Sequence, residues 1–130
     1  MTAESRFGLD RIGQIAVNVK DLDRATAFYR DVLGMRPLFQ VPKMAFFECG
    51  GIRLMLSLPE KPEFDHPGSI LYYKVDDIKA AHAALRGRGA RFEGEPHVVA
   101  QLQAHDLWMA FCRDSEGNLL ALMSEVRRAA

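Results

Sequence analysis

Apolar and polar positions alternate at the start of the chain. Between Ile12 and Val19, Ile15, Val17 and Val19 fall on one face and Gln14, Ala16 and Asn18 on the other, the period-two pattern of a half-buried strand. Asp21 then suits a helix N-cap, because its carboxylate can accept from the free N–H groups of a first turn. Leu22, Ala25, Tyr29, Val32 and Leu33 share one helical stripe, and Gly34 supplies a stop. Short β-like runs follow at about 35–41, 43–49 and 51–58, broken by Pro42 and by Gly50 and Gly51. The order is βαβββ.

A polar, proline-bearing stretch over 59–67 reads as a connection, and then the order restarts. Ser69 to Val75 predicts a strand, Asp76 or Asp77 a helix cap, and Ile78, Ala81 and Leu85 the apolar stripe, with Gly87 and Gly89 ending the helix. Strand-like runs around 97–102, 107–113 and 118–124 complete a second βαβββ. Sliding by 56 positions (75 minus 19) superposes Val19 on Val75, Asp21 on Asp77, Ala25 on Ala81, Ala27 on Ala83 and Arg30 on Arg86. Near the end of each half the offset becomes 66 (117 minus 51), pairing Gly51 with Gly117, Leu54 with Leu120 and Leu56 with Leu122. The chain is an internal duplication. The changed offset puts about ten extra residues around Glu93 to Asp106, expected as a polar loop or lid.

The 130 residues suit one domain, residues 1–130, built of modules 11–58 and 68–125 joined by the linker 59–67. Lysine plus arginine and aspartate plus glutamate each number 17, a balance that disfavours nucleic acid and anionic membranes as partners. No apolar run approaches the roughly 20 residues of a bilayer span, and Met1 to Asp10 has no leader-like apolar stretch. Cys49 and Cys112 are far apart and read as free thiols of a cytoplasmic protein.

The string IGQIAVNVKDLDRATAFYRDVLGM resembles the opening of the vicinal-oxygen-chelate superfamily, which includes glyoxalase I, extradiol dioxygenases, fosfomycin-resistance enzymes and bleomycin-binding proteins. YYKVDDIKAAHAALRGRG is similar to that superfamily's second-module opening, and FCRDSEGNLLALMSE to its closing turn and strand. The resemblance spans roughly residues 11–125 and implies an α+β fold, two tandem βαβββ modules whose curved sheets form a cup with helices outside. It also implies four inward-facing positions that hold a divalent ion in the metal-dependent members. Matched by motif, those positions are Gln14, Met55, Ile70 and Ala121. Gln14 offers one oxygen, Met55 a soft thioether, and Ile70 and Ala121 nothing. No metal and no other cofactor is expected there.

Strand alternation places Gln14, Ala16, Asn18, Arg53, Met55 and Ser57 toward the cup from the first half. Ile70, Tyr72, Lys74, Leu119, Ala121 and Met123 face it from the second. This set reads either as a small-molecule pocket or as side chains that fill the interior. Trp108 is a candidate to stack on an aromatic ligand, and equally a core or dimer-interface anchor. His66 and His82 read as solvated surface groups, whereas His97 and His105, with Glu93 or Glu95, are candidates for a relocated ion or acid–base site. The favoured function is a metal-free protein that binds an unidentified small molecule, as a homodimer by resemblance. The alternatives are a metal-dependent lyase, epimerase or dioxygenase with a non-standard site, and a non-enzymatic module with a closed cup.

Overall fold

The computed structural model describes residues 7–128, so the first six positions of the N-terminal stretch lie outside it. In chain order the elements are β1 (Gln14–Asn18), α1 (Leu22–Ala27, continued as a π-turn over Phe28–Val32), β2 (Arg36–Val41), β3 (Met44–Cys49) and β4 (Ile52–Ser57). The second half holds β5 (Leu71–Lys74), α2 (Ile78–Gly87), β6 (Arg91–Phe92), β7 (His97–Gln101), β8 (His105–Arg113) and β9 (Leu119–Arg127). The first sheet runs β1-β4-β3-β2 and the second β5-β9-β8-β6, with β7 also on β8. The architecture is the α+β pair of open sheets expected from the duplicated pattern.

The two sheets share one register. Ala16 lies opposite Met55 and Val17 opposite Leu56 in the first; Tyr72 lies opposite Ala121 and Tyr73 opposite Leu122 in the second, reproducing the offsets of 56 and 66. Both parallel pairs close alike, by Val19 N–H to the Ser57 carbonyl at 3.0 Å and Val75 N–H to the Met123 carbonyl at 2.9 Å. Both helices begin alike: Asp21 accepts from Arg24 N–H at 3.0 Å and Asp77 from Ala80 N–H at 3.1 Å. These caps satisfy donors that a helix start leaves without partners.

Each helix covers one face of its own sheet. Val19, Ala25, Tyr29, Phe47, Leu54 and Leu56 form one buried cluster, and Ile78, Leu85, Ala90, Ala110 and Leu122 another. Val32 and Leu33, at the end of the first helix, pack on the second cluster and join the two. His82, read as a surface group, is instead buried at 5% exposure. It lies on Phe92 with ring centroids 4.3 Å apart, its Nε2 3.3 Å from the Gly94 carbonyl. The short β6 and its turn fold back over α2 at His82.

The insertion around 93–106 is not a loop. Arg91 and Phe92 pair with one end of β8, while β7 pairs with the other end from Met109 to Asp106. The extra residues therefore lengthen a hairpin, because an added segment beside an existing edge strand satisfies its backbone by continuing the ladder. Arg128 secures the tip, donating to the carbonyls of Leu102, Gln103 and His105 and to Asp106 Oδ1 at 2.7 Å.

The halves are locked together by the turn between β8 and β9. Glu116, with its side chain 1% exposed, accepts from Lys20 N–H and Asp21 N–H at 2.9 Å and from Arg24 Nε and Nη2 at 2.7 and 2.9 Å. A carboxylate thus sits on the start of α1, where the backbone N–H groups concentrate positive charge. Asn118 donates to the Asn18 carbonyl at 2.9 Å, and the buried Tyr29 hydroxyl donates to Asp114 Oδ2 at 2.8 Å. Burial first, and then Asp114, push the Tyr29 phenol well above its ordinary range.

Arg24, followed by the backbone donors, holds the Glu116 carboxyl down to about 2 from its ordinary 4.5. A depressed carboxylate stabilises the fold above its unfolded value, and the contribution disappears as pH falls from about 4.5 towards 2. Glu116→Gln is expected to lower the unfolding free energy at pH 7 by about 2 kcal/mol, since Arg24 is half exposed and screened. In urea melts across pH, the gap between the two proteins should close on acidification through that window. A gap independent of pH would contradict the assignment.

Candidate functional site

The faces turned away from the helices carry the predicted cup residues. On the first sheet Gln14 and Arg53, Ala16 and Met55, and Asn18 and Ser57 are successive cross-strand pairs, so their side chains share one surface. On the second sheet Tyr72 and Lys74 pair with Ala121 and Met123. Ile70 precedes β5 and pairs with no strand. Trp108 is on the opposite face: it packs on the α2 cluster, with Lys79 Nζ 5.1 Å from its ring centre. It is displaced from the cup by strand alternation, since its neighbours Leu107 and Met109 take the concave side.

The two concave surfaces differ. In the second half Ala121 is fully buried. It lies opposite Tyr72 on one side and Phe111 on the other, and those two rings meet edge to face at 6.1 Å. Strands either side of a third are about 9.6 Å apart, so the rings lean together over the alanine. In the first half the matching surface is open, and the connection between the halves crosses it. Asn18 Nδ2 donates to the carbonyls of Phe64 and His66 and holds that strap down. Beneath it is a cavity of about 300 Å³ walled by Ala16, Met44, Met55, Ser57 and Phe64, with Glu60 on the strap side.

A larger cleft of about 730 Å³ separates β1 from β5. Three of its polar walls are committed: Glu116 to Arg24, Asn118 to Asn18, and Arg113 to Glu93 at 3.0 Å and to the Gly117 carbonyl. The Tyr73 hydroxyl is buried there without a partner, and Lys20, Asp65 and Ser69 also line the cleft. The cleft is where the halves are fastened.

The four positions that would hold a divalent ion do not fit one. Ile70 and Ala121 carry no donor, and the Met55 sulfur is 3.7 Å from Gln14 Nε2. The single amide oxygen, Gln14 Oε1, accepts from Arg53 Nε at 2.9 Å. The guanidinium there takes one of the oxygen's two lone pairs and repels a second cation. The relocated set is not assembled either. His97 lies opposite Met109 and His105 opposite Arg127, four residues apart along β8, about 13 Å. Glu93 is paired with Arg113, and Glu95 lies 3.8 Å from His82 and 3.6 Å from Arg86. Among the described residues no three His, Cys, Asp or Glu side chains come together. Both cysteines are free, and burial raises the Cys112 thiol to about 11, where it stays protonated at neutral pH.

Two features of the site were not read from the sequence: the ring contact of Arg53 and the strap. Arg53 lies 5.3 Å from the centre of Phe46 and 6.0 Å from Phe39, whose rings stack at 4.4 Å. The alternation of Phe39, Val41, Met44 and Phe46 across the Pro42 hairpin was the available signal.

Residues 11–122 match the family model described as Glyoxalase/Bleomycin resistance protein/Dioxygenase superfamily. Among solved structures, a lactoylglutathione lyase from Agrobacterium tumefaciens is similar at 23% identity and TM-score 0.71, over 89% of this chain and 94% of that one. An integron cassette protein from V. cholerae is 19% identical at TM-score 0.75, over 91% and 97% of the two chains. A virulence protein from Salmonella typhimurium is 20% identical at TM-score 0.75, over 92% and 100%. At these identities the likeness is one of fold.

Elemental analysis after dialysis against zinc, nickel or manganese is expected to find far less than one ion per chain. Chelator should leave the melting temperature unchanged. Stoichiometric loading that raises the melt would overturn the reading of the donor set.

Proposed function

Because the chain belongs to the Glyoxalase/Bleomycin resistance protein/Dioxygenase superfamily, we propose that it is a metal-free member that binds a small molecule on the concave face of its first sheet. The observation that carries this reading is the 300 Å³ cavity between that face and the strap. Its volume is at the lower end for small-molecule sites, and its walls are chiefly apolar with a few polar groups at the ends, as such sites require. The second half contributes support: its own concave position is covered by Tyr72 and Phe111, and its closing turn orders the start of α1. A lyase, epimerase or dioxygenase acting through a divalent ion is the competing reading. It needs donors that Gln14, Met55, Ile70 and Ala121 do not present.

Self-association as a homodimer belongs to the same proposal. Leu38 and Val41 on the edge strand β2, and Val98, Val99 and Leu102 on the lengthened hairpin, are each at least 40% exposed. Two exposed apolar edges on one chain favour pairing with a copy over remaining in water. Light scattering should find twice the 14.6 kDa chain mass; a monomer at micromolar concentration would remove this part.

A thermal-shift panel of neutral, anionic and cationic aryl compounds tests the pocket. A ligand at a hundred times its Kd should raise the melt by about 10 °C. Ala16→Phe, which fills an open position, should abolish the response while leaving the unliganded melt within about 2 °C. Absence of any shift across the panel would sink the binding reading.

A further inference from the structure

We infer that the ligand of the concave cavity is a small organic monoanion, its carboxylate held by Arg53 and its apolar body laid along Met55 beneath the strap. This rests on the proposed small-molecule reading and adds the charge and orientation of the ligand.

The guanidinium is positioned and its binding edge is unused. Its Nε is fixed by Gln14 Oε1 at 2.9 Å, which sets the plane of the group. Neither Nη has an acceptor among the described residues, and Arg53 takes part in no ion pair there. Glu48, directly opposite on β3, is the natural partner, yet its Oε2 accepts from Gly51 N–H at 2.9 Å in the hairpin turn. What stabilises the charge is the pair of stacked rings, Phe46 and Phe39, within 5.3 and 6.0 Å. A guanidinium with two free N–H-bearing nitrogens in one plane matches a carboxylate bidentately, where a lysine would offer only a point charge.

The neighbourhood selects the rest of the ligand. Phe39 is half exposed, so a flat apolar group can cover it. One pair of residues further along β1 and β4, about 7 Å, brings Ala16 and Met55, where the cavity begins. The far wall carries Glu60, which disfavours a second negative group at that end. A cation one residue pair outside the cavity, apolar walls between and a carboxylate beyond define a ligand with one anionic head.

Calorimetric titration of the whole protein with 4-phenylbutyrate, 4-phenylbutyramide and 4-phenylbutylamine separates the possibilities. The acid should bind at least tenfold more tightly than its amide, with the amine weakest, and the preference should shrink as salt is raised. In Arg53→Met the acid and amide should bind within about twofold of each other. Arg53 is exposed and the variant should fold, which circular dichroism checks; the salt dependence of the unaltered protein stands as a test even if it does not. Equal binding of acid and amide, preference for the amine, or a preference unchanged in Arg53→Met would overturn the anion assignment and leave the pocket reading standing. No binding by any of the three would overturn both.

Discussion

The fold depends on one buried negative charge meeting the start of a helix. Glu116 is carried on the five-residue turn between β8 and β9, yet all but one of the hydrogen bonds to its carboxylate come from the first half, at Lys20, Asp21 and Arg24. Two sheets that each pack on their own helix have no necessary orientation to one another. Four donors converging on one carboxylate supply it, because such bonds are short and directional and cannot slide as an apolar contact can. Asn118 and Asp114, on the same turn, add bonds to Asn18 and Tyr29. The relative placement of β1 and β5, and hence the space between them, follows from that turn.

The duplication was legible because it rests on local rules repeated twice. Period-two alternation, an aspartate cap and a glycine stop recur in both halves, and the offsets read from Val19/Val75 and Gly51/Gly117 are the ones the sheets adopt. The concave surface was legible by strand: Gln14, Arg53, Met55 and Ser57 do share one. What was not legible depends on contacts between residues distant in sequence. Trp108 falls on the helix side, which only the phase of β8 decides. His82 is covered by a turn twelve residues away, and the insertion became hairpin because β8 had an edge to extend. The strap gives no periodic signal at all; its position is set by Asn18 capturing two carbonyls.

The halves, alike in register, have divided their roles. At matched positions one has Ala16 beside Met55 and the other Tyr72 beside Ala121. Exchanging a small residue for an aromatic one on β5, and a long one for a small one on β9, turns an open surface into a covered one at nearly constant volume. The same exchange applies to the closing turns. Glu48 stays within its own hairpin, while the turn that follows Arg113 reaches across to the other half.

The strap has two duties, and they constrain its length. Surface connections ordinarily accept extra residues at small entropic cost, since loop closure grows only with the logarithm of length. Here the connection must begin at the end of β4, pass beneath the reach of the Asn18 amide and still enter β5 in phase with β9. Slack in it would leave the halves fastened by Glu116 but unroof the cavity. Among related chains, the number of residues between the two repeats is therefore a readable character: it should track the bulk of the molecule each one accommodates rather than drift freely.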